Sequence, residues 1–212
     1  MNSSEISPNS TPGTPLRPRL RQAMRQEVAA TAIRLLVDRG FDGVTVAEIA
    51  AEAGVSRATF FRYFGGKEDA VLAAVEPVGE RIAEGLGAQP EDLDPWDALR
   101  TAVVAAVGSE SEDREWALAR TRLITSAPSL RARELEKHHR WQGLIGAALA
   151  ARLREPPDSL TVRTLAAAAL AALEAATDAW AATDATTDLA ALVDAAFGTL
   201  TLADQAQPPT QT

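Results

Sequence analysis

The chain of 212 residues contains no cysteine. That excludes a disulfide framework, thiol catalysis and cysteinyl metal sites, and it fits a reducing, cytoplasmic setting. Histidine is almost as scarce, with only the adjacent pair His138 and His139 in a charged helical stretch. No H-E-x-x-H, G-x-S-x-G or G-x-x-x-x-G-K-S/T motif occurs, and the plentiful carboxylates show no paired arrangement. An enzyme, a metal site and a cofactor site are therefore not expected. The chain has no run of about 18 apolar residues and begins polar and proline-rich, so neither a membrane span nor a secretory signal is expected. Strand-like alternation and fixed-period repeats are also missing. What remains is helix, and the expected fold is all-α with about nine helices.

The net charge is −8, unevenly spread. Residues 1–67 hold nine Lys and Arg against six Asp and Glu, a net +3; residues 68–212 hold twelve against twenty-three, a net −11. The overall acidity argues against nucleic-acid binding, but the local balance suggests a small anion-binding module on a larger acidic body.

Residues 1–18, with Pro8, Pro12, Pro15 and Pro18 among Ser, Thr and Asn, read as a disordered tail. Arg17, Arg19, Arg21 and Arg25 crowd its junction with a first helix, about Leu20 to Arg39, which Gly40 ends. This arginine run reads equally well as a solvated arm or as one that tracks DNA. Thr45-Val-Ala-Glu48 is a capping box opening a short helix. Gly54 breaks that helix, and Ser56 caps another that runs to about Tyr63. A fourth helix is expected over 67–86, kinked at Pro77. Further helices are expected from Trp96, from Trp116, over 129–153, from Ser159 to Ala182 and from Leu189 to Ala203, with a second disordered tail over 205–212.

Two short helices joined at Gly54 have the layout of a helix-turn-helix. Ala50, Ala51 and Ala53 let the pair approach closely, and Phe60 and Phe64 can anchor the second helix to a core. That helix presents Ser56, Arg57, Ala58 and Thr59 at its N-terminus, the end that enters a major groove. Arginine can bond bidentately to guanine, and Thr or Ala can meet a thymine methyl. Singly, each feature is unremarkable: a capping box marks a helix start, Arg57 a wet surface, Gly65-Gly66 a turn. Their joint spacing is what points to DNA.

The stretch VTVAEIAAEAGVSRATFFRYFGGKEDAVL, residues 44–72, resembles the DNA-binding signature of the tetracycline-repressor (TetR) family. The match runs through Thr45, Val46, Ile49, Ala50, Ala53, Gly54, Val55, Ser56, Thr59, Tyr63, Phe64, Lys67 and Glu68. The resemblance implies phosphate contacts from Thr45 and Lys67, base reading by Ser56, Arg57, Ala58 and Thr59, and a backbone contact at Tyr63. One position departs: Phe61 stands where the family usually has a tyrosine, so a hydroxyl–phosphate bond is lost there. The adjacent Arg62 is a candidate replacement, as phosphate contact or base reader.

The resemblance further implies a helix-turn-helix DNA-binding domain over 19–66 and an effector-binding and dimerisation domain over 67–204. It implies a double-stranded operator and a small-molecule effector as partners, with repression as the commoner mode. A homodimer through the last two helices is expected, where Ala168, Ala171, Ala172, Ala175 and Ala179 with Leu165 and Leu173 face a stripe of Leu189, Leu192, Val193, Ala196 and Leu200. An intrachain core would use the same stripes. Candidate effector contacts are Trp96, Leu99 and Val103 on one helical face, Trp116, Arg120 and Leu123 on a second, and His138, Trp141, Gln142 and Ile145 with Leu135 on a third. Arg120 could receive a carboxylate or phosphate. Each could equally be core, surface or, for His138 with Glu134, a surface pair. The TFFRYF stretch and the alanine-rich helical C-terminus also resemble actinobacterial regulators of the mycofactocin-associated type, a subgroup associated with long-chain acyl-coenzyme A effectors. The alternative classes, an all-helical enzyme or a helical module that never touches DNA, lack a feature of their own; against the second stands the basic charge confined to the helix-turn-helix segment.

Overall fold

The computed structural model describes residues 16–108 and 114–205. Most of both expected tails lies outside the described residues. Helix α1 (Leu16–Arg39) already includes residues 16–18 of the expected first tail. Among the described residues there are ten helices and no strand. After α1 come α2 (Val46–Glu52), α3 (Arg57–Tyr63), α4 (Lys67–Ala73), α5 (Glu76–Gly87), α6 (Pro95–Gly108), α7 (Arg114–Ser126), α8 (Pro128–Leu153), α9 (Leu160–Ala182) and α10 (Leu189–Gln205).

The tenth helix arises because the stretch expected as one kinked helix over 67–86 is two. Pro77 has no N–H to give the carbonyl of residue 73, and its ring crowds that carbonyl. The chain tightens instead: Ala74 and Val75 donate to the carbonyls of Val71 and Leu72 at 3.3 and 3.1 Å. Pro77 then sits in the first turn of α5, where a missing N–H costs nothing.

Two cores result. The first unites Val28, Ile33 and Leu36 of α1 with Ile49 of α2, Phe60 of α3 and Val71 of α4. It does not stop at the helix-turn-helix: Leu123, Ile124, Ala127 and Leu130 of the α7–α8 corner close it. The second packs α5, α6, α8, α9 and α10 around Ile82, Leu99, Ile145, Val162 and Phe197. Helix α9 is long and apolar enough, by length and composition alone, to cross a membrane. In this fold it lies against α8, α10 and α6, with Val162, Ala166 and Ala169 fully buried.

Of the two stripes expected at the dimer contact, Ala172, Leu173 and Val193 are buried inside the chain. Ala171, Ala175 and Ala179 remain exposed, as does Leu200.

Candidate DNA interface and effector cavity

Local hydrogen bonding sets the geometry of α2 and α3. The Thr45 hydroxyl accepts from the Glu48 amide at 3.3 Å, and the Glu48 carboxylate accepts from the Thr45 amide at 2.9 Å, which completes the capping box. Those bonds to Thr45, with Arg39 nearby, hold the Glu48 carboxyl below the usual carboxylate range. Helix α2 ends in a Schellman motif: the Gly54 amide donates to the Ala51 carbonyl and the Val55 amide to that of Ala50, at 3.1 and 2.9 Å. Gly54 occupies the left-handed position, with φ +66°, that a side chain rarely adopts.

Ser56 caps α3 by accepting from the Thr59 amide at 3.0 Å. Its own hydroxyl lies 3.0 Å from that of Thr59, so these two candidate readers are already bonded to each other. Phe60 and Phe64 are buried with ring centroids 5.2 Å apart, anchoring the helix as their spacing predicts. Arg57, Ala58, Phe61 and Arg62 are exposed, and Tyr63 is half-buried. Phe61 leaves half of its surface in solvent on this helix.

Lys67, a phosphate contact by the resemblance, is half-buried and bonded within the chain. Its ammonium donates to the carbonyls of Phe41 (2.5 Å) and Val44 (3.3 Å) and lies 4.2 Å from the Phe41 ring centroid. It braces the α1–α2 loop against α4.

The ten candidate effector contacts do not form one site. Trp96 stacks on Phe197, with centroids 4.5 Å apart, and its indole N–H donates to the Phe197 carbonyl at 3.4 Å. Leu99, Val103 and Ile145 are core. Leu123 belongs to the first core, against which Trp116 also packs. Gln142 is half-buried and exposed Leu135 stands at the surface. Arg120, His138 and Trp141 come together on a cavity of about 130 Å³ between α5, α7, α8 and α9 and the ends of α6 and α10, while Trp116 meets Arg120 on a separate groove beside α1 and Pro77.

Sequence reasoning missed the other polar walls: Lys137 and Glu134 on α8, Thr121 and Thr125 on α7, and Glu174, Thr177 and Asp178 on α9. The α8 pair was within reach, since 134, 137, 138 and 141 share one helical face. Lys137 is 5% exposed, with its ammonium 3.3 Å from Glu134 and 4.5 Å from the Trp141 ring centroid. Burial pushes its pKa below the ordinary lysine value, partly opposed by Glu134. Burial, then the Lys137 charge, also lowers His138, which keeps that imidazole neutral near neutral pH. Trp141 lies against Gly79, and its buried indole N–H has no acceptor among the described residues.

A neighbouring stripe of α8 pairs with the elements that carry the helix-turn-helix. Arg140 pairs with Glu76 at 2.9 Å, and Glu76 also pairs with Arg25 of α1 at 2.7 Å. Arg133 stands 3.5 Å from Asp69 of α4. One helix thus touches both the cavity and the elements that position α3.

Comparison with known proteins agrees with this architecture. Residues 29–74 match the family described as "Bacterial regulatory proteins, tetR family", and residues 93–204 match the "MftR C-terminal domain". The chain belongs to the TetR family of helix-turn-helix transcriptional regulators, and its C-terminal part is of the MftR type. The transcriptional regulator TcmR of Streptomyces glaucescens is 30% identical over 162 residues, 72% of each chain. Among solved structures, a protein of Syntrophomonas wolfei described as a TetR-family regulator covers 90% of this chain and all of its own, with TM-score 0.66 at 14% identity. The regulator FadR of Bacillus subtilis, solved with stearoyl-CoA, covers 82% of this chain and 96% of its own, with TM-score 0.54 at 19% identity. At these identities the two structures speak for the fold. Regulators of this family bind DNA operators and small-molecule effectors, typically as dimers.

Proposed function

We propose that this protein is a cytoplasmic, non-enzymatic repressor, released from its operator when a small molecule enters the cavity between α5, α7, α8 and α9. The observation that carries the reading is the two-sided α8. Glu134, Lys137, His138 and Trp141 face the cavity, while Arg133 and Arg140 pair with Asp69 and Glu76 at the foot of the helix-turn-helix. A ligand that shifts α8 changes how α4 and α1 are held, and with them the spacing of two recognition helices across a dimer. The interruption at Ala74–Val75 gives that movement a joint.

In this reading residues 19–66 carry the DNA contacts and 67–204 the effector and dimer contacts, with α4 packed into the first core beside the helix-turn-helix. Arg57, Ser56, Ala58 and Thr59 meet base edges, while Thr45, Arg62 and Tyr63 meet the backbone. Lys67 acts through the loop it braces. The exposed Ala171, Ala175, Ala179 and Leu200 faces of α9 and α10 form the two-fold interface with a second copy. The effector is amphipathic: apolar Val78, Ile124 and Leu173 line the cavity beside Arg120 and Lys137, which suit an anionic or carbonyl end. The stearoyl-CoA held by the Bacillus subtilis protein makes acyl-coenzyme A compounds the first to try.

The test is fluorescence anisotropy on the DNA upstream of the protein's own gene and on random DNA, with acyl-coenzyme A of increasing chain length as titrant. Sequence-preferring binding that the titrant reverses supports the reading. Arg57→Ala should then cost about 1–3 kcal/mol on the specific duplex and little on random DNA. Binding that no titrant weakens in the wild type, or that Lys137→Met leaves equally releasable, would remove the cavity from the mechanism.

A further inference from the structure

The N-terminal turns of α1 lie upstream of the segment that matches the tetR-family description, which begins at residue 29. Residues 16–26 hold four arginines and no Asp or Glu. Arg25 is committed to Glu76, but Arg17, Arg19 and Arg21 are exposed. Residues 17, 20, 21 and 24 share one helical face. That face forms a groove of about 360 Å³ with Arg62 and Tyr63 at the C-terminal end of α3. The Arg21 and Arg62 guanidiniums lie 5.8 and 5.3 Å from the centroid of the same Tyr63 ring. Positive charge therefore runs from the end of α3 into α1 with no carboxylate lining the groove.

We propose that Arg17 and Arg21 form a second DNA contact, seated on the phosphates of the duplex that flanks the half-site read by α3. The proposal rests on α3 being the recognition helix, because the groove faces DNA only if α3 does. Guanidinium matches phosphate bidentately, and each neutralised phosphate releases condensed counterion. Such a contact adds affinity and register without reading sequence. Arg19 lies on the opposite face of α1 and is not part of it. The run lengthens the footprint beyond what the helix-turn-helix alone would cover.

The experiment uses full-length protein and duplexes selected by it from a random pool. Each selected core is compared with the same core extended by about one helical turn of unrelated sequence at both ends. Wild type should bind the extended duplex more tightly. The Arg17→Ala/Arg21→Ala double variant should lose that gain, and its dependence of log Kd on log salt should be shallower by about 3–4, four guanidiniums per dimer at roughly 0.9 each. Arg19→Ala, the positional control, should keep the gain, and so should Arg17→Lys/Arg21→Lys. An unchanged flank gain in the double alanine variant overturns the proposal, as does an equal loss from Arg19→Ala, which would reduce the run to a diffuse field. Arg57→Ala separates the two readings. Loss of sequence preference with the flank gain intact leaves α3 as reader and the arm as independent; unchanged sequence preference is a failure of the α3 reading itself.

Discussion

Gly79 is the position at which the structure makes its sharpest demand. It sits inside α5, where glycine is less favourable than alanine by roughly 0.5–1 kcal/mol, so Gly79→Ala should stabilise the helix considered alone. A Cβ there, however, would lie 2.3 Å from Cδ1 of Trp141 and 2.6 Å from its Cγ and Nε1. No real Cβ contact is that short, and the indole is 5% exposed, so it can yield only toward the cavity it lines. Overpacking of this kind costs about 1–3 kcal/mol. Gly79→Ala should therefore be neutral to destabilising by about 2 kcal/mol, the difference of the two effects. In a Trp141→Ala background, itself costing about 3–5 kcal/mol, the obstacle is gone and the same change should stabilise by about 0.5–1 kcal/mol. The cycle should thus give a coupling energy of about 1–3 kcal/mol. The assay is equilibrium urea unfolding of the four proteins by far-ultraviolet circular dichroism, at one fixed protein concentration because a dimer's stability depends on it. Equal effects of Gly79→Ala in both backgrounds would refute the claim that Trp141 requires a glycine opposite it.

Lys67→Met removes a charged donor from two carbonyls and should lower stability by about 1.5–3 kcal/mol while leaving the salt slope of DNA binding unchanged; a reduced slope with unchanged thermal unfolding would instead make Lys67 a phosphate contact. Glu76→Gln weakens both the Arg25 and the Arg140 pairs, which are partly exposed and worth about 0.2–1 kcal/mol each, so chemical stability should barely move; the effector concentration needed for DNA release should shift, and an unchanged release curve argues against coupling through Glu76. His138 is lowered by burial, so between its folded value and the ordinary 6.5 the unfolded chain holds more protons, and stability falls as pH drops through that window. The groups that face it are Lys137 and Glu134 on its own helix and Glu174 on α9, with Arg120 and Asp178 also on the cavity wall. Thermal unfolding between pH 7.5 and 5 should show a smaller loss for His138→Gln than for wild type; parallel curves would place the acid sensitivity elsewhere.

The contrast between what the sequence reveals and what it hides follows from the range of the interactions. The capping box, the Ser56 cap and the Gly54 turn are bonded within a few residues, so residue identity suffices to locate them. The burial of Phe60 and Phe64 follows from the short helix they must anchor. The break at Ala74–Val75 is harder, because one proline can bend a helix or divide it, and the neighbouring turns decide which. Lys67 turns inward because the carbonyls of Phe41 and Val44 lie beneath it, and nothing near residue 67 announces them. The cavity is hidden for the same reason. Helical spacing groups Trp96 with Leu99 and Val103, yet only the arrival of α10 with Phe197 makes that face core. Glu174, Thr177 and Asp178 lie on a helix whose alanines draw the eye to dimer packing instead.

The two faces of α8 have a consequence for how such a regulator can diversify. Arg133 and Arg140 pair with Asp69 of α4 and Glu76 of α5, while Glu134, Lys137, His138 and Trp141 line the cavity, all within nine residues of one helix. In the proposed mechanism, substitutions on the cavity side change which molecule is sensed without redesigning the transmission, and the guanidinium side can be held constant through such a change. Under that mechanism sensing and signalling are heritable as separate traits on a single rod, and a new chemical cue can be adopted while the response it triggers is kept.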